Sequence, residues 1–256
     1  MEKRVDATRV LLFGACGAMG RTVLEVSKGM PDVCVVAGVD SKADDGEVPV
    51  FGSPKEVNVE FDVILDFSAG GNISATLDFA KERSAPLVIA STGQSEVELK
   101  CIAEAAKKSP VLKSANFSVA VNRFVASVAA FARCWHGDIE VVEVHHNKKV
   151  DAPSGTALMI ANEIIESRGF GTIVLGRGEG SKARVKGEIG ISAIRGGVVA
   201  GEHEVRFFDD TCEVSMKERE YGKGSFALGA LEACKFMVGK PAGELYTMRD
   251  LLEWLC

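Results

Sequence analysis

Short β-branched runs alternate with helix-period segments through the first half of the chain. Val10-Leu11-Leu12-Phe13 reads as a strand that stops at glycine, and Met19 to Lys28 as the helix behind it. Further strands are predicted at Val33 to Val39, Val63 to Phe67, Leu87 to Ala90 and Val111 to Ser114, with helices at Ile73 to Lys81 and Val97 to Lys107. Strand–helix alternation at this spacing implies βαβ units and a doubly wound parallel sheet. After Phe117 the rhythm changes. A helix at Asn122 to Cys134 leads into a strand at Ile139 to Val144. A second helix runs from Gly155 to about Ser167, with Leu158, Ala161, Ile164 and Ile165 on one face. Strands at Lys186 to Ala193, Glu202 to Phe208 and Cys212 to Met216 follow without helices between them, which predicts a second, α+β domain built on an antiparallel or mixed sheet. The tail is helical at Ser225 to Val238 and Met248 to Leu255.

Composition narrows the class. The 256 residues are 46% hydrophobic and 26% charged, an ordinary globular balance with enough interior for a core. No apolar run approaches the roughly 20 residues needed to span a bilayer, and Met1 to Arg9 is polar and charged, unlike a signal peptide. Seven cysteines (16, 34, 101, 134, 212, 234 and 256) never form a C-x-x-C pair, so they read as reduced thiols of a cytoplasmic protein. A net charge of −6 argues against a nucleic-acid partner.

The first strand runs into Gly14-Ala15-Cys16-Gly17-Ala18-Met19-Gly20-Arg21, a G-x-x-G-x-x-G variant of the dinucleotide fingerprint. Glycines let the backbone approach a pyrophosphate, and the helix N-terminus presents N–H groups and a positive dipole end. Asp40 ends the second strand, where an acid binds the adenosine ribose hydroxyls. A glycine turn serving only helix–strand packing is the simpler alternative; strand, helix and acid in the expected order count against it. Ser91-Thr92-Gly93 and Ala115-Asn116-Phe117-Ser118 also follow strands, where an open α/β sheet binds ligands. Taken alone, they are ordinary turn chemistry.

The second half concentrates its chemistry between Glu143 and Leu158. A strand delivers His145, His146, Lys148 and Lys149 to a loop that closes with Pro153, Ser154, Gly155 and Thr156 at a helix start. Ser154 is placed to cap that helix, and the first-turn amides at Gly155 and Thr156 can take a carboxylate. Adjacent histidines on a strand face opposite sides, so one faces a given pocket unless the strand has ended. No third ligand has sensible spacing for zinc. An imidazole that titrates near neutrality, a cation and an anion-binding helix end within one short segment point to acid/base work on an anion. His136 and His203 read as structural, and Arg195-Gly196-Gly197 as a hairpin turn between two strands.

Together these residues resemble the dihydrodipicolinate reductase family over nearly the whole chain. His145-His146 followed by Lys149-Val150-Asp151-Ala152-Pro153-Ser154-Gly155-Thr156 is similar to the family signature. Met19-Gly20-Arg21, Asp66-Phe67-Ser68, Ala115-Asn116-Phe117-Ser118, Gly201-Glu202-His203 and Met248-Arg249-Asp250-Leu251 match as well. The segment Lys217 to Gly224 departs from the family's serine-arginine stretch, and Ala18 stands where a basic residue is common. The resemblance implies a Rossmann domain at 1–118, completed by helices at 225–256, and a substrate-binding and tetramerisation domain at 119–224. It implies NADH or NADPH as cofactor and a small cyclic dicarboxylate as substrate. It assigns acid/base catalysis to His145 and a catalytic, substrate-engaging role to Lys149. His146, Ser154, Gly155 and Thr156 fall to the substrate, and Gly14 to Met19, Asp40, Ala90, Ser91, Thr92 and Ala115 to Ser118 to the cofactor. Another nicotinamide-dependent dehydrogenase of an acidic metabolite, or a non-catalytic nucleotide sensor, are the rival readings.

Overall fold

The computed structural model describes residues 7–42, 46–68, 73–180 and 182–256; the charged start Met1 to Asp6, and Ala69 and Gly70 after Ser68, lie outside the described residues. In chain order the elements are β1 (Thr8–Phe13), α1 (Ala18–Ser27), β2 (Val33–Val39), β3 (Val50–Phe51), β4 (Val63–Asp66), α2 (Ile73–Glu82), β5 (Leu87–Ile89), α3 (Glu96–Ala106) and β6 (Val111–Lys113). Then come α4 (Val119–Arg133), β7 (Asp138–His145), α5 (Gly155–Arg168), β8 (Thr172–Leu175), β9 (Glu188–Arg195), β10 (Gly201–Phe208) and β11 (Glu213–Glu220). Finally α6 (Gly224–Met237), β12 (Leu245–Tyr246) and α7 (Met248–Trp254) close the chain. The elements group into two compact units, residues 1–119 with 224–256, and residues 120–223.

The first unit holds a seven-stranded sheet in the order β12-β6-β5-β4-β1-β2-β3, and every pairing in it is parallel. Val10, Leu12, Val63, Leu65, Val88 and Leu112 pack toward Val23 of α1, Ala230, Leu231 and Cys234 of α6, and Met248 and Leu251 of α7. The alternate residues Leu11, Phe13, Ile64, Leu87 and Ile89 pack toward Phe79 of α2 and Ile102 of α3. With both faces covered, the strands read as unbroken apolar runs, and each fully buried aliphatic side chain contributes about 1.5–3 kcal/mol. Strand order reverses at β1, which lies between β2 and β4. That switch point is where open α/β sheets bind ligands.

The second unit is a mixed five-stranded sheet, β11-β10-β7-β9-β8, with β7–β9 and β8–β9 parallel and β10 antiparallel to both its neighbours. Ile139 and Val141 of β7, Ile189 and Ile191 of β9, and Val205 and Phe207 of β10 pack against Val125 and Val128 of α4 and Ile160 and Ile164 of α5. The hairpin reading of Arg195-Gly196-Gly197 is wrong, since β9 and β10 lie on opposite edges of β7. The turn bonds to the end of β7 instead of closing on itself: Gly196 N–H donates to His145 O at 2.9 Å, His146 N–H to Val199 O at 2.7 Å and Asn147 N–H to Gly197 O at 3.2 Å. Strands β3, β8 and β12 have no counterpart in the sequence pattern, being two to four residues long and too short to show a period.

Candidate active site

In the first unit, the turn after β1 is built for a backbone ligand. Gly14 has φ +77°, and a Cβ there would lie 2.7 Å from Phe67 O; a Cβ on Gly20 would lie 2.2 Å from Gly14 O. Strand β1, the start of α1 and the end of β4 therefore close together only because these positions carry no side chain. Gly17 caps α1 without any side-chain hydrogen bond, so the first-turn amides at Ala18 and Met19 remain suited to an anion. Asp40 braces the loop, accepting from Cys16 N–H on Oδ2 and from Lys42 N–H on Oδ1, each at 3.0 Å.

Beside this turn is a cavity of about 400 Å³. Met19, Ala90, Ser91, Thr92, Ala115 and Phe117, all read from the sequence as cofactor contacts, line it. Phe67, Ser68 and Phe226 complete the wall, and sequence reasoning missed them as contacts; Phe226 sits on α6, far from any recognised motif. Asp66 is buried at the end of β4, accepting from Ser68 N–H at 2.8 Å and Ser91 Oγ–H at 3.1 Å. Burial raises its carboxyl above the ordinary range, while the serine donors oppose that shift. Asn116 and Ser118 are buried turn formers, with Ser118 N–H donating to Asn116 Oδ1 at 2.9 Å. A cavity walled by aromatic and hydroxyl side chains next to an amide-lined helix start fits a nicotinamide dinucleotide.

In the second unit, the period-two alternation that builds the apolar core continues into a polar cluster. Glu143 and His145 follow Ile139 and Val141 on the buried side of β7, and His203 precedes Val205 and Phe207 on β10. Glu143 is fully buried and accepts hydrogen bonds from four directions: His145 Nδ1 at 2.6 Å, Arg195 Nη1 and Nη2 at 2.8 Å each, and Ser154 N–H at 3.0 Å. Burial pushes its carboxyl up, but Arg195, His145 and the Ser154 amide outweigh burial and hold it below the ordinary value. Burial pulls the His145 imidazole down, and Glu143 opposes that. A carboxylate only accepts, so Nδ1 carries the hydrogen and Nε2 is the exchangeable site. Gly201 leaves room for that nitrogen, since a Cβ there would lie 3.2 Å from it.

The remaining predicted residues surround this pair. Ser154 Oγ caps α5 by accepting from Ala157 N–H at 3.1 Å, which starts the helix at Gly155 and Thr156. Lys149 is mostly covered, 21% exposed, with Nζ 2.8 Å from Asp151 Oδ1, while Lys148 is exposed. His146 lies just past the end of β7, half-buried, its Nδ1 accepting from Lys148 N–H at 3.2 Å. His203, read as structural, stands next to this pair. It is buried within β10, its ring 5.3 Å from that of His145, and it contacts Ser154 Oγ. Glu143, Arg195 and His203 were missed as site residues; Glu143 was legible, being two residues from His145 and hence on the same strand face. Among the described residues no group of three or more His, Cys, Asp or Glu is arranged for a metal ion.

A doubly wound sheet with a glycine turn at its switch point, and a second unit carrying a carboxylate–imidazole pair beside a serine-capped helix start, fit a nicotinamide-dependent oxidoreductase. The family models described as dihydrodipicolinate reductase, N-terminus and C-terminus, match residues 8–117 and 118–252 in turn. The chain belongs to the dihydrodipicolinate reductase family. A 4-hydroxy-tetrahydrodipicolinate reductase of Caldanaerobacter subterraneus subsp. tengcongensis is 42% identical over 250 residues, covering 96% of this chain and 98% of the relative. One from Clostridium botulinum is 38% identical over 247 residues, covering 95% and 98%. The fold is shared with a dipicolinate-bound dihydrodipicolinate reductase from Paenisporosarcina sp. TG-14, at a TM-score of 0.79 and 22% identity over 94% of this chain and 97% of that one.

Proposed function

We propose that the chain reduces 4-hydroxy-tetrahydrodipicolinate to tetrahydrodipicolinate with NADH or NADPH, a step of lysine and diaminopimelate biosynthesis in which water is lost overall. The observation that carries this reading is the Glu143–His145 pair placed beside the start of α5, with Lys149 in the same loop. Loss of the 4-hydroxyl as water leaves a conjugated ring, and a nicotinamide dinucleotide, when bound, would supply the hydride to its C4. The glycine turn and the first-turn amides of α1 would hold its pyrophosphate, and the cavity walled by Met19, Phe67, Phe117 and Phe226 would take its nicotinamide. His145 donates the proton that quenches the resulting charge, from Nε2, while Glu143 fixes the ring and its tautomer. The start of α5 takes one substrate carboxylate, and Lys149 and His146 meet the negative charge of the ring. Dipicolinate, a planar cyclic dicarboxylate, is expected to compete with substrate. The reading is tested by turnover: cofactor oxidation should begin only when the product of the preceding synthase is added. Folded protein that oxidises neither cofactor in its presence would reject it.

Asp40 sets an expectation for cofactor choice. Its carboxylate favours a ribose diol and repels a 2′-phosphate, and Ala18 supplies no cation to offset that. NADPH should be usable but NADH preferred in kcat/KM. A clear preference for NADPH would show that Lys42, whose backbone already bonds to Asp40, outweighs the carboxylate; Lys42→Ala would then lose mainly NADPH activity.

All seven cysteines are free, which suits the reducing cytoplasm, and among the described residues no helix is long and apolar enough to cross a membrane. The family resemblance extends to a homotetramer built through the second unit's sheet. Light scattering should return about four times 27.2 kDa; a monomer at micromolar concentration would contradict the assembly.

A further inference from the structure

A second carboxylate–imidazole pair lies beside the first, and nothing in the mechanism above uses it. Glu218 on β11 stands directly across from His203 on β10, and its Oε2 is 3.2 Å from His203 Nδ1. Both side chains are covered, 8% exposed for Glu218 and 4% for His203. The other imidazole nitrogen, Nε2, is 3.2 Å from Ser154 Oγ.

The direction of each bond follows from what each atom can do. The Glu218 carboxylate accepts, so His203 carries its hydrogen on Nδ1 and presents a lone pair at Nε2. Ser154 Oγ already accepts from Ala157 N–H, so its own hydroxyl hydrogen is available to His203. The chain therefore runs from Ala157 N–H to Ser154, from Ser154 to His203, and from His203 to Glu218. Ser154 is thus held twice, its amide by Glu143 and its hydroxyl by His203. Glu218 belongs to Lys217–Gly224, the segment that departs from the family's serine-arginine stretch.

We propose that Glu218 and His203 are positioning residues for the substrate carboxylate: they lock the Ser154 hydroxyl and so fix the first turn of α5 in its anion-binding orientation. This rests on the reading that a substrate carboxylate binds at that helix start. A serine cap without a partner for its hydroxyl can rotate, and each rotation moves the turn that the anion must meet.

The test measures binding of pyridine-2,6-dicarboxylate to the full-length protein by calorimetry in the presence of NADH, alongside KM for the ring substrate. Glu218→Ala, on an edge strand, should raise Kd and KM about 3- to 10-fold, as expected for one lost link in a charge-assisted bond. Glu218→Gln, which still accepts from Nδ1, should fall between wild type and Glu218→Ala. NADH affinity should be unchanged and reports that the protein is folded. In a Ser154→Ala background the Glu218→Ala effect should shrink below about twofold, because residues acting through one partner are not additive. A Glu218→Ala variant that binds the probe like wild type overturns the proposal, and so does an effect of undiminished size in the Ser154→Ala background. Failure of the wild-type protein to bind the probe would instead overturn the substrate reading on which it rests.

Discussion

Lys149→Ala is expected to lower kcat/KM by roughly 30-fold to several thousand-fold, while Lys148→Ala changes it by less than about fivefold. The two lysines are neighbours in sequence but not in environment. Lys149 is mostly covered and paired with Asp151, whereas Lys148 stands in solvent. Asp151 is itself exposed and is worth little as a partner; on the proposed reading Lys149 pairs with the substrate carboxylate once the site is filled. Removing one partner of such a covered, hydrogen-bonded pair costs about 2–5 kcal/mol, because the carboxylate is left poorly solvated. A solvent-exposed pair is worth only ~0–1 kcal/mol. Asp151 is held below the ordinary carboxylate range chiefly by its hydrogen bond to Lys149, so in the resting protein Asp151 keeps the ammonium in place. On the proposed reading, the substrate carboxylate competes for that ammonium. If Lys149 also meets charge that grows in the transition state, kcat falls as KM rises. NADH affinity should hardly move, since no cofactor residue lies in this loop. Steady-state kinetics on both variants checks this, and equal behaviour of the two would refute the assignment.

Glu143→Gln is expected to reduce kcat/KM by about 10- to 100-fold, the cost of replacing a charge-assisted bond to the acid by a neutral one. The amide has nearly the shape of the carboxylate, yet its NH₂ end must face either Arg195 or His145, both of which donate. The pH profile separates this from general damage. In the free protein, burial holds His145 below the ordinary imidazole value, and Glu143 is what opposes that shift. If the protonated ring is the acid, kcat/KM declines as pH rises through that lowered value. Removing the carboxylate lowers it further, so the declining limb of Glu143→Gln should lie at lower pH than that of wild type. A limb that stays put, or moves up, would separate Glu143 from the proton transfer. Truncation to alanine is the wrong variant for kinetics: it removes the acceptor shared by His145, Arg195 and the Ser154 amide and leaves a cavity on the buried side of β7.

The sequence made the Rossmann-type half legible because its signals are local. A strand, a glycine turn and a helix are contiguous at Val10 to Ser27, and both faces of the sheet are covered, so each strand shows as an apolar run. The second sheet was legible as mixed but not in its order. Whether β10 pairs with β9 or with β7 depends on hydrogen bonds between residues some fifty positions apart in sequence, such as His146 to Val199, and no local pattern encodes that. The site shows the same division. His145, Lys149 and Ser154 sit in one readable stretch, whereas Arg195 and His203 reach it from other strands. His203 looked like strand filler because its partners, Ser154 and Glu218, are forty-nine and fifteen residues away. Phe226 joins the cofactor cavity from a helix whose apolar pattern speaks only of packing.

On the proposed reading, a hydride passes from the nicotinamide to C4 of the cyclic dicarboxylate on this protein. NADH carrying deuterium at both C4 positions of its nicotinamide is incubated with the protein and synthase-generated hydroxy-tetrahydrodipicolinate, and the ring product is analysed by mass spectrometry and NMR. The expected product is tetrahydrodipicolinate carrying one deuterium at C4, formed in step with cofactor oxidation. Product without the label, label at another carbon, or cofactor oxidised with no labelled ring product would contradict it.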